Sequence, residues 1–571
     1  MMGTISDKLM RIINTKEDIR QALISKGYDV PTSIPFKEYA KMISDLPCRV
    51  DSFPDIEGIV ARYSALGLTN EQMAANPVWV DKTGNGHDLQ MKNFAWKEGS
   101  GISDIYPGAL VFDGVDDYGA CDNFPILTKE KGYTVVSLRK YITPDPKSYL
   151  ISNGDTARLA AFLVEGNFPT IQYWNFGAVG NLNYIDNLPY VYQTSKEYNG
   201  RSINKGDLNE GVTSLLVCKY GSWHSNAAIW EIVILDHDAT EEELTKIKDY
   251  FVKTYPWLFP DQAWTVTGKT NEDEDRATIS NITGNGNDLV LSNFAFSGNS
   301  GYGSYVCNFN DTSTWIYYSY NGTIEITSST IHVTEAKTAR PFLEKNASSG
   351  GYNKVKIKVT GIKDGEILKF MSDEDRDNTI NIEKDGIYSL PGSDKLYYGF
   401  RLSNSTNTYP FNCDITIEQI PEYEGYLVTD GVDDKAVSKQ FKFGENFTVI
   451  LDFKFPVKKI SYCGFDLSSK VRIQNLQGSG VYVVLKGNKT LIPSNVVRAV
   501  TSEGKVYDEN WNEYNIVPGN ISSNYTMVNL GFDGSNQFAE SATKLAGIYS
   551  SALSKDDCIK AYNYLQTLKS K

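Results

Sequence analysis

Apolar and polar residues alternate with period two in long stretches of this chain. Val355-Lys356-Ile357-Lys358-Val359 and Ile415-Thr416-Ile417-Glu418-Gln419-Ile420 are two such stretches. One wet and one dry face predict antiparallel strands. Elsewhere the apolar runs are solid: Gly108–Phe112, Tyr133–Leu138 and Ala228–Ile234. Turn clusters at Ser152-Asn153-Gly154-Asp155 and Asn199-Gly200 separate them. Short strands with frequent turns predict β-sandwiches. The period changes to three and four in a few places. Ile5, Leu9, Ile12 and Ile13, then Ile19, Leu23 and Ile24, form a helical stripe that Gly27 and Pro31 end. A second short helix is expected after Pro35, with Phe36, Tyr39, Ala40 and Ile43 on one face. Thr240 and Glu243 form a capping box before Leu244, Ile247, Tyr250 and Phe251. Ser554 opens a comparable helix with Cys558, Ala561, Tyr562 and Leu565 as its face.

Within this pattern one segment occurs twice. Thr83-Gly84-Asn85-Gly86-His87-Asp88-Leu89 returns as Thr283-Gly284-Asn285-Gly286-Asn287-Asp288-Leu289. Asn-Gly predicts a tight hairpin with both central residues at positive φ. Asn93-Phe94-Ala95 and Gly101 have counterparts in Asn293-Phe294-Ala295 and Gly301. Phe112-Asp113-Gly114-Val115-Asp116-Asp117 returns much later, as Thr429-Asp430-Gly431-Val432-Asp433-Asp434. The unequal displacements imply a duplicated β-domain whose second copy was split by an insert. The boundaries follow: a helical module over 1–47, a first domain over 58–259, a second over 261–302 plus 425–571, and an inserted Ig-like or jelly-roll sandwich over 303–424.

Composition narrows the function. The 571 residues are 41% hydrophobic and carry a net charge of −14. That acidity disfavours a nucleic-acid groove, which needs a basic face. Seven scattered cysteines without C-x-x-C signal neither zinc nor a redox pair, and are expected as small buried apolar groups. They fit assembly in a reducing compartment. No run reaches the ~18 apolar residues of a spanning helix.

Two resemblances extend this reading. Thr15-Lys16-Glu17-Asp18-Ile19-Arg20, Lys26-Gly27 and Pro35-Phe36-Lys37-Glu38-Tyr39-Ala40 resemble a segment near the start of tailed-phage fibre and appendage chains. The order Asp81 to Leu89, then Phe112 to Tyr118, then a closing strand and helix, resembles laminin-G-type, concanavalin-like jelly rolls. That family is mostly carbohydrate- or protein-binding and structural, with a minority of hydrolases. The second copy departs from it at Asn281, Thr429 and Lys435, which puts a shared ligand in doubt.

Candidate chemistry is thin. Asp113, Asp116 and Asp117 offer oxygens for Ca²⁺, or simply shape a turn at a strand end, which Asp-Gly and Asp-Asp favour. Trp96, Trp174, Trp223 and Trp511 lie on loop-like segments and offer faces for stacking on sugar rings, or cap a core. A hydrolase needs paired carboxylates. No strand pattern supplies them, and Asp508–Glu513 reads as a turn between strands. The expected protein is therefore a non-enzymatic structural component of a phage virion, assembled in the bacterial cytoplasm and built as a homo-oligomer. Residues 1–47 would dock on other virion proteins and the sandwiches would meet host glycan. The alternatives are a glycan depolymerase with an unrecognised carboxylate pair and a free-standing lectin.

Overall fold

A computed structural model gives the architecture. It describes residues 53–570 apart from internal segments, the longer being 144–149, 153–162, 182–188, 203–213, 346–354, 372–378, 392–398 and 456–462. Before residue 53 it describes only Lys16, Glu17, Ile19, Arg20 and Pro35. The first four are helical, and Arg20 pairs with Glu17 at 2.8 Å. The helix expected after Pro35 lies outside the described residues.

The chain divides into two compact units, 1–57 with 241–250, and 58–240 with 251–571. In the smaller unit Phe53 packs edge-on against Tyr250, with centroids 4.9 Å apart. The larger unit is mostly β, with its antiparallel sheets packed as sandwiches.

Among the described residues the first sandwich faces an eight-stranded sheet against a five-stranded one. Its larger sheet runs Gly101–Ile102, Leu110–Asp113, Asn226–Leu235, Thr134–Tyr141, Tyr190–Thr194, and then two short strands. Ile59–Ser64 also pairs with Asn226–Leu235. The second sandwich repeats this order strand for strand. Gly301–Tyr302, Leu427–Asp430, Glu540–Tyr549, Thr448–Lys454 and Val496–Thr501 follow one another, and Gln262–Thr265 pairs with Glu540–Tyr549. Two five-stranded sheets, spanning Trp315 to Gln419, stand between Gly301–Tyr302 and Leu427–Asp430. Their strands Val355–Thr360 and Phe411–Gln419 bury alternate residues, because each has one face on a core.

The repeated glycine-rich segment is not a tight hairpin. Val78–Trp79 pairs with Leu89–Lys92, so the connection spans residues 80–88. Positive φ falls on Gly84 (78°) and Gly86 (84°), and not on Asn85. Asp81 organises this loop. Its Oδ1 accepts from the Arg62 amide at 3.0 Å and the Thr83 amide at 3.0 Å. The Asn85 amide group then donates to the carbonyls of Ile59 and Val60. Two polar side chains thus specify a longer loop that a dipeptide rule misses. Asn281 and Asn285 do the same work in the second copy, bonding the Ala263 amide and the Asp261 carbonyl.

Structure also finds equivalences that identity hides. Asn70 clamps Ile102 through both backbone groups, and Asn271 clamps Tyr302 in the same way. A Cβ on Gly101 would come within 2.3 Å of Asn70 Oδ1, and one on Gly301 within 2.5 Å of Asn271 Oδ1. The clamp therefore explains why that glycine occurs twice.

The C-terminal helix spans Lys555–Gln566, with the Ser554 side chain accepting from the Asp557 amide. It buries Cys558, Ala561, Tyr564 and Leu565. Tyr564 takes the core place expected for Tyr562, whose hydroxyl turns to a carboxylate instead. Tyr564 meets Trp230 of the first sandwich edge-on at 6.0 Å, and Tyr549 donates to the Trp257 carbonyl at 3.0 Å. These buried aromatics join the sandwiches. Cys121, Cys218, Cys413, Cys463 and Cys558 are buried thiols. No described helix is long and apolar enough to cross a membrane.

Candidate functional site

A dense polar arrangement lies on the outer face of the second sandwich. Leu451 and Phe453 point into its core, so Asp452 points the other way. Its carboxylate is buried at 4% exposure. Arg498, from the neighbouring strand, donates to Oδ1. The Tyr426 hydroxyl donates to Oδ1 at 3.0 Å. Tyr562 and Gln566, from the helix, donate to Oδ2 at 3.1 and 2.8 Å. Burial pushes the Asp452 carboxyl up, but the Arg498 charge and these donors outweigh it and hold it below the usual carboxylate range.

Half-exposed rings and cations surround this anchor. The Arg498 guanidinium lies 4.6 Å from the Tyr562 ring centre. Trp511 meets Tyr562 edge-on at 5.8 Å. The Lys454 ammonium sits 4.1 Å from the Tyr426 ring and 4.9 Å from the Tyr423 ring. Trp511 is held at φ 61° in the turn that joins Lys505–Asp508 to Glu513–Asn515. Asp508 fixes that turn by accepting from the Asn510 and Asn512 amides, each at 2.9 Å. The strip can therefore offer ring faces and positive charge without first ordering them.

The other tryptophans are placed differently. Trp96 stacks on Phe94 at 4.8 Å and packs against the first core. Phe296 takes the equivalent place, at the same φ of 52°, so the position keeps a ring for packing. Trp223 stands on a two-stranded ribbon, Lys219–Tyr220 with Trp223–His224. Trp174 lies outside the described residues.

The ribbon adjoins the acidic turn. Asp113 Oδ1 accepts from the Val115 amide at 2.8 Å and the Asp116 amide at 3.3 Å, and Asp117 Oδ2 from the Asp113 amide at 3.1 Å. Asp430 and Asp434 make the matching bonds at 2.8, 3.4 and 2.9 Å. Each trio brings its carboxylates within 4.8 Å of one another. A cation there would compete with these amides for the same lone pairs. Beside the turn, Lys219 covers the Tyr118 ring at 4.1 Å. In the second copy Lys435 replaces Tyr118 and Phe532 stands at the Lys219 position, with 5.6 Å between cation and ring. The cation–π contact persists with its partners exchanged.

Burial pushes the Asp117 carboxyl up to about 6 and the Asp434 carboxyl up to about 7, against hydrogen bonds that favour ionisation. A carboxyl raised on folding binds its proton more tightly in the native state. Stability then falls as pH climbs from about 4 to about 7, and levels off above. Asp434→Asn should remove the Asp434 share of that slope and leave the shallower Asp117 share. At pH 8 the variant should melt above the parent, by an equivalent of roughly 2–4 kcal/mol. Calorimetry of both proteins between pH 4 and pH 8 checks it; parallel curves would refute it.

No protein-family model matches this chain. No curated protein matches it. Among solved structures, a Trypanosoma rangeli sialidase in complex with sialic acid aligns at 14% identity and a TM-score of 0.23, over 35% of this chain and 34% of the sialidase. The chain thus spans about a third of that protein's length. A botulinum neurotoxin serotype D binding domain aligns at 10% identity and 0.26, over 70% and 89%. A botulinum neurotoxin type C structure, described as depending on two ganglioside molecules to enter cells, aligns at 10% and 0.24, over 64% and 94%. TM-scores this far below 0.5 are too low to carry a function across.

Proposed function

We propose that this chain is a structural appendage protein of a tailed-phage virion whose sandwiches hold host glycan. One observation carries the binding half: the pre-ordered strip of Trp511, Tyr562, Tyr426 and Tyr423 with Arg498 and Lys454, seated on buried Asp452. Aromatic faces suit the C–H side of a sugar ring, and the cations suit acidic sugars. Fixed rings lose little entropy on binding, which favours even a shallow site. Several copies on one particle would multiply weak contacts into avidity. The virion setting is supported by the resemblance of residues 15–40 to appendage chains.

On a glycan array, Trp511→Ala should lose at least about tenfold in apparent affinity, on the scale of one aromatic contact. Trp96→Ala should lower thermal stability and leave the array pattern of the folded protein unchanged. Equal loss in both variants would clear the strip. Mass spectrometry of purified particles tests the setting, and absence of the chain from them would end that half.

A further inference from the structure

We infer that the first sandwich holds a second, separate binding site, for a neutral hydroxyl-rich ligand of one or two sugar rings. It is a cleft of about 340 Å³ at the end of the sandwich, where the repeated loop meets the start of the domain. That volume is within the range of small-ligand sites. Gly58 lines it together with Asp236, His87, Asn85 and Lys131. Val60 and Leu127 add an apolar flank.

The polar groups are held in advance. Asn85 is fixed by the Ile59 and Val60 carbonyls. His87 Nδ1 lies 2.9 Å from the Asn123 carbonyl oxygen, which can only accept. That ring nitrogen therefore carries the proton, and in the neutral ring Nε2 is an acceptor. Phe124 holds the imidazole edge-on at 5.3 Å. The Asp236 amide donates to the Gly58 carbonyl at 2.9 Å. A Cβ on Gly58 would come within 2.3 Å of Asp236 Oδ1, so the carboxylate has its place because residue 58 is glycine.

The lining selects the ligand class. A cleft lined by a carboxylate, an ammonium, an imidazole and an amide matches hydroxyls, which donate and accept at once. A phosphate would meet Asp236, and a cation would meet Lys131. A wholly apolar ligand would cost the hydration of both. The second sandwich has lost this combination. There Asn287 stands for His87 and donates to Gln262 at 3.1 Å, and Phe259-Pro260 precedes the strand in place of Gly58.

Saturation-transfer NMR on the full chain tests the site, with glucose, galactose and N-acetylglucosamine as separate probes. At least one should receive transfer. Asp236→Ala, at a side chain 59% exposed and therefore safe for folding, should weaken that binding at least tenfold. His87→Asn, which copies the second sandwich, should do likewise, and Ile387→Ala, at an exposed residue of the insert outside both sites, should change nothing. Absence of transfer to all three sugars would overturn the assignment, as would transfer that survives both cleft variants. Loss in Trp511→Ala alone would move the binding to the strip and overturn the cleft while leaving the proposed function standing.

Discussion

Arg62→Ala is expected to destabilise the first sandwich by about 3–5 kcal/mol. Arg62 Nε lies 2.6 Å from Glu231 Oε1, and the two side chains are 5% and 0% exposed. Tyr255 donates to Glu231 Oε2 at 2.6 Å, and its hydroxyl lies 3.1 Å from Ser64 Oγ. Removing the guanidinium strands a carboxylate that water does not reach. Removing both charges is a different experiment, and the second copy shows that apolar residues fit these two positions. Strand register puts Ala263 where the first copy has Arg62, and Leu545 where it has Glu231. The second sandwich folds with an apolar pair there. Arg62→Ala with Glu231→Leu should thus recover to within about 1–2 kcal/mol of the parent. Hydrogen exchange of the Asn226–Leu235 amides under rising urea isolates this sandwich from the others. A double variant as unstable as the single one would show that the pair contributes more than its mutual neutralisation.

The acid has moved rather than vanished. Leu138 faces Glu231 across neighbouring strands in the first sandwich, and Asp452 faces Leu545 in the second. Each copy therefore buries one carboxylate at the same spot, on alternate strands. Arg62 neutralises it from one side and Arg498 from the other. A pairwise reading of the sequence cannot see this, since Leu138 and Glu231 lie far apart in the chain. What could be read were local signals: alternation in the inserted strands, the Ser554 cap, and the Asp-Gly-Val-Asp-Asp turn. The 80–88 loop departs from a tight hairpin because its conformation depends on Asp81 and on strand Ile59–Ser64, which the Asn-Gly dipeptide does not encode. Among the candidate tryptophans, Trp511 is distinguished from Trp96 by neighbours alone. Tyr562 comes to Trp511 from the helix, with Arg498 of another strand over the Tyr562 ring, whereas Phe94 reaches Trp96 from two residues away.

Asp452→Ala is expected to destabilise the second sandwich by about 3–5 kcal/mol and to abolish the glycan capture proposed for the strip. Four donors converge on this carboxylate, from a strand, the C-terminal helix and the junction after the insert. Arg498 would keep its charge at 17% side-chain exposure without its counter-ion. The strip depends on the same bonds, because Tyr562 and Tyr426 take their orientation from Asp452. Asp452→Leu with Arg498→Ala copies the leucine of the first sandwich and should recover much of the stability. It should not recover binding, since the rings would then lack their common acceptor and the strip one of its two cations. That split separates positioning from folding, and a double variant that bound glycan normally would refute it. The pH dependence runs opposite to that of Asp434. The Asp452 carboxyl is held below its ordinary range, so its contribution is complete at neutral pH and disappears as pH falls below about 4. The gap in unfolding free energy between the parent and Asp452→Ala should therefore be widest near pH 7 and close progressively in acid.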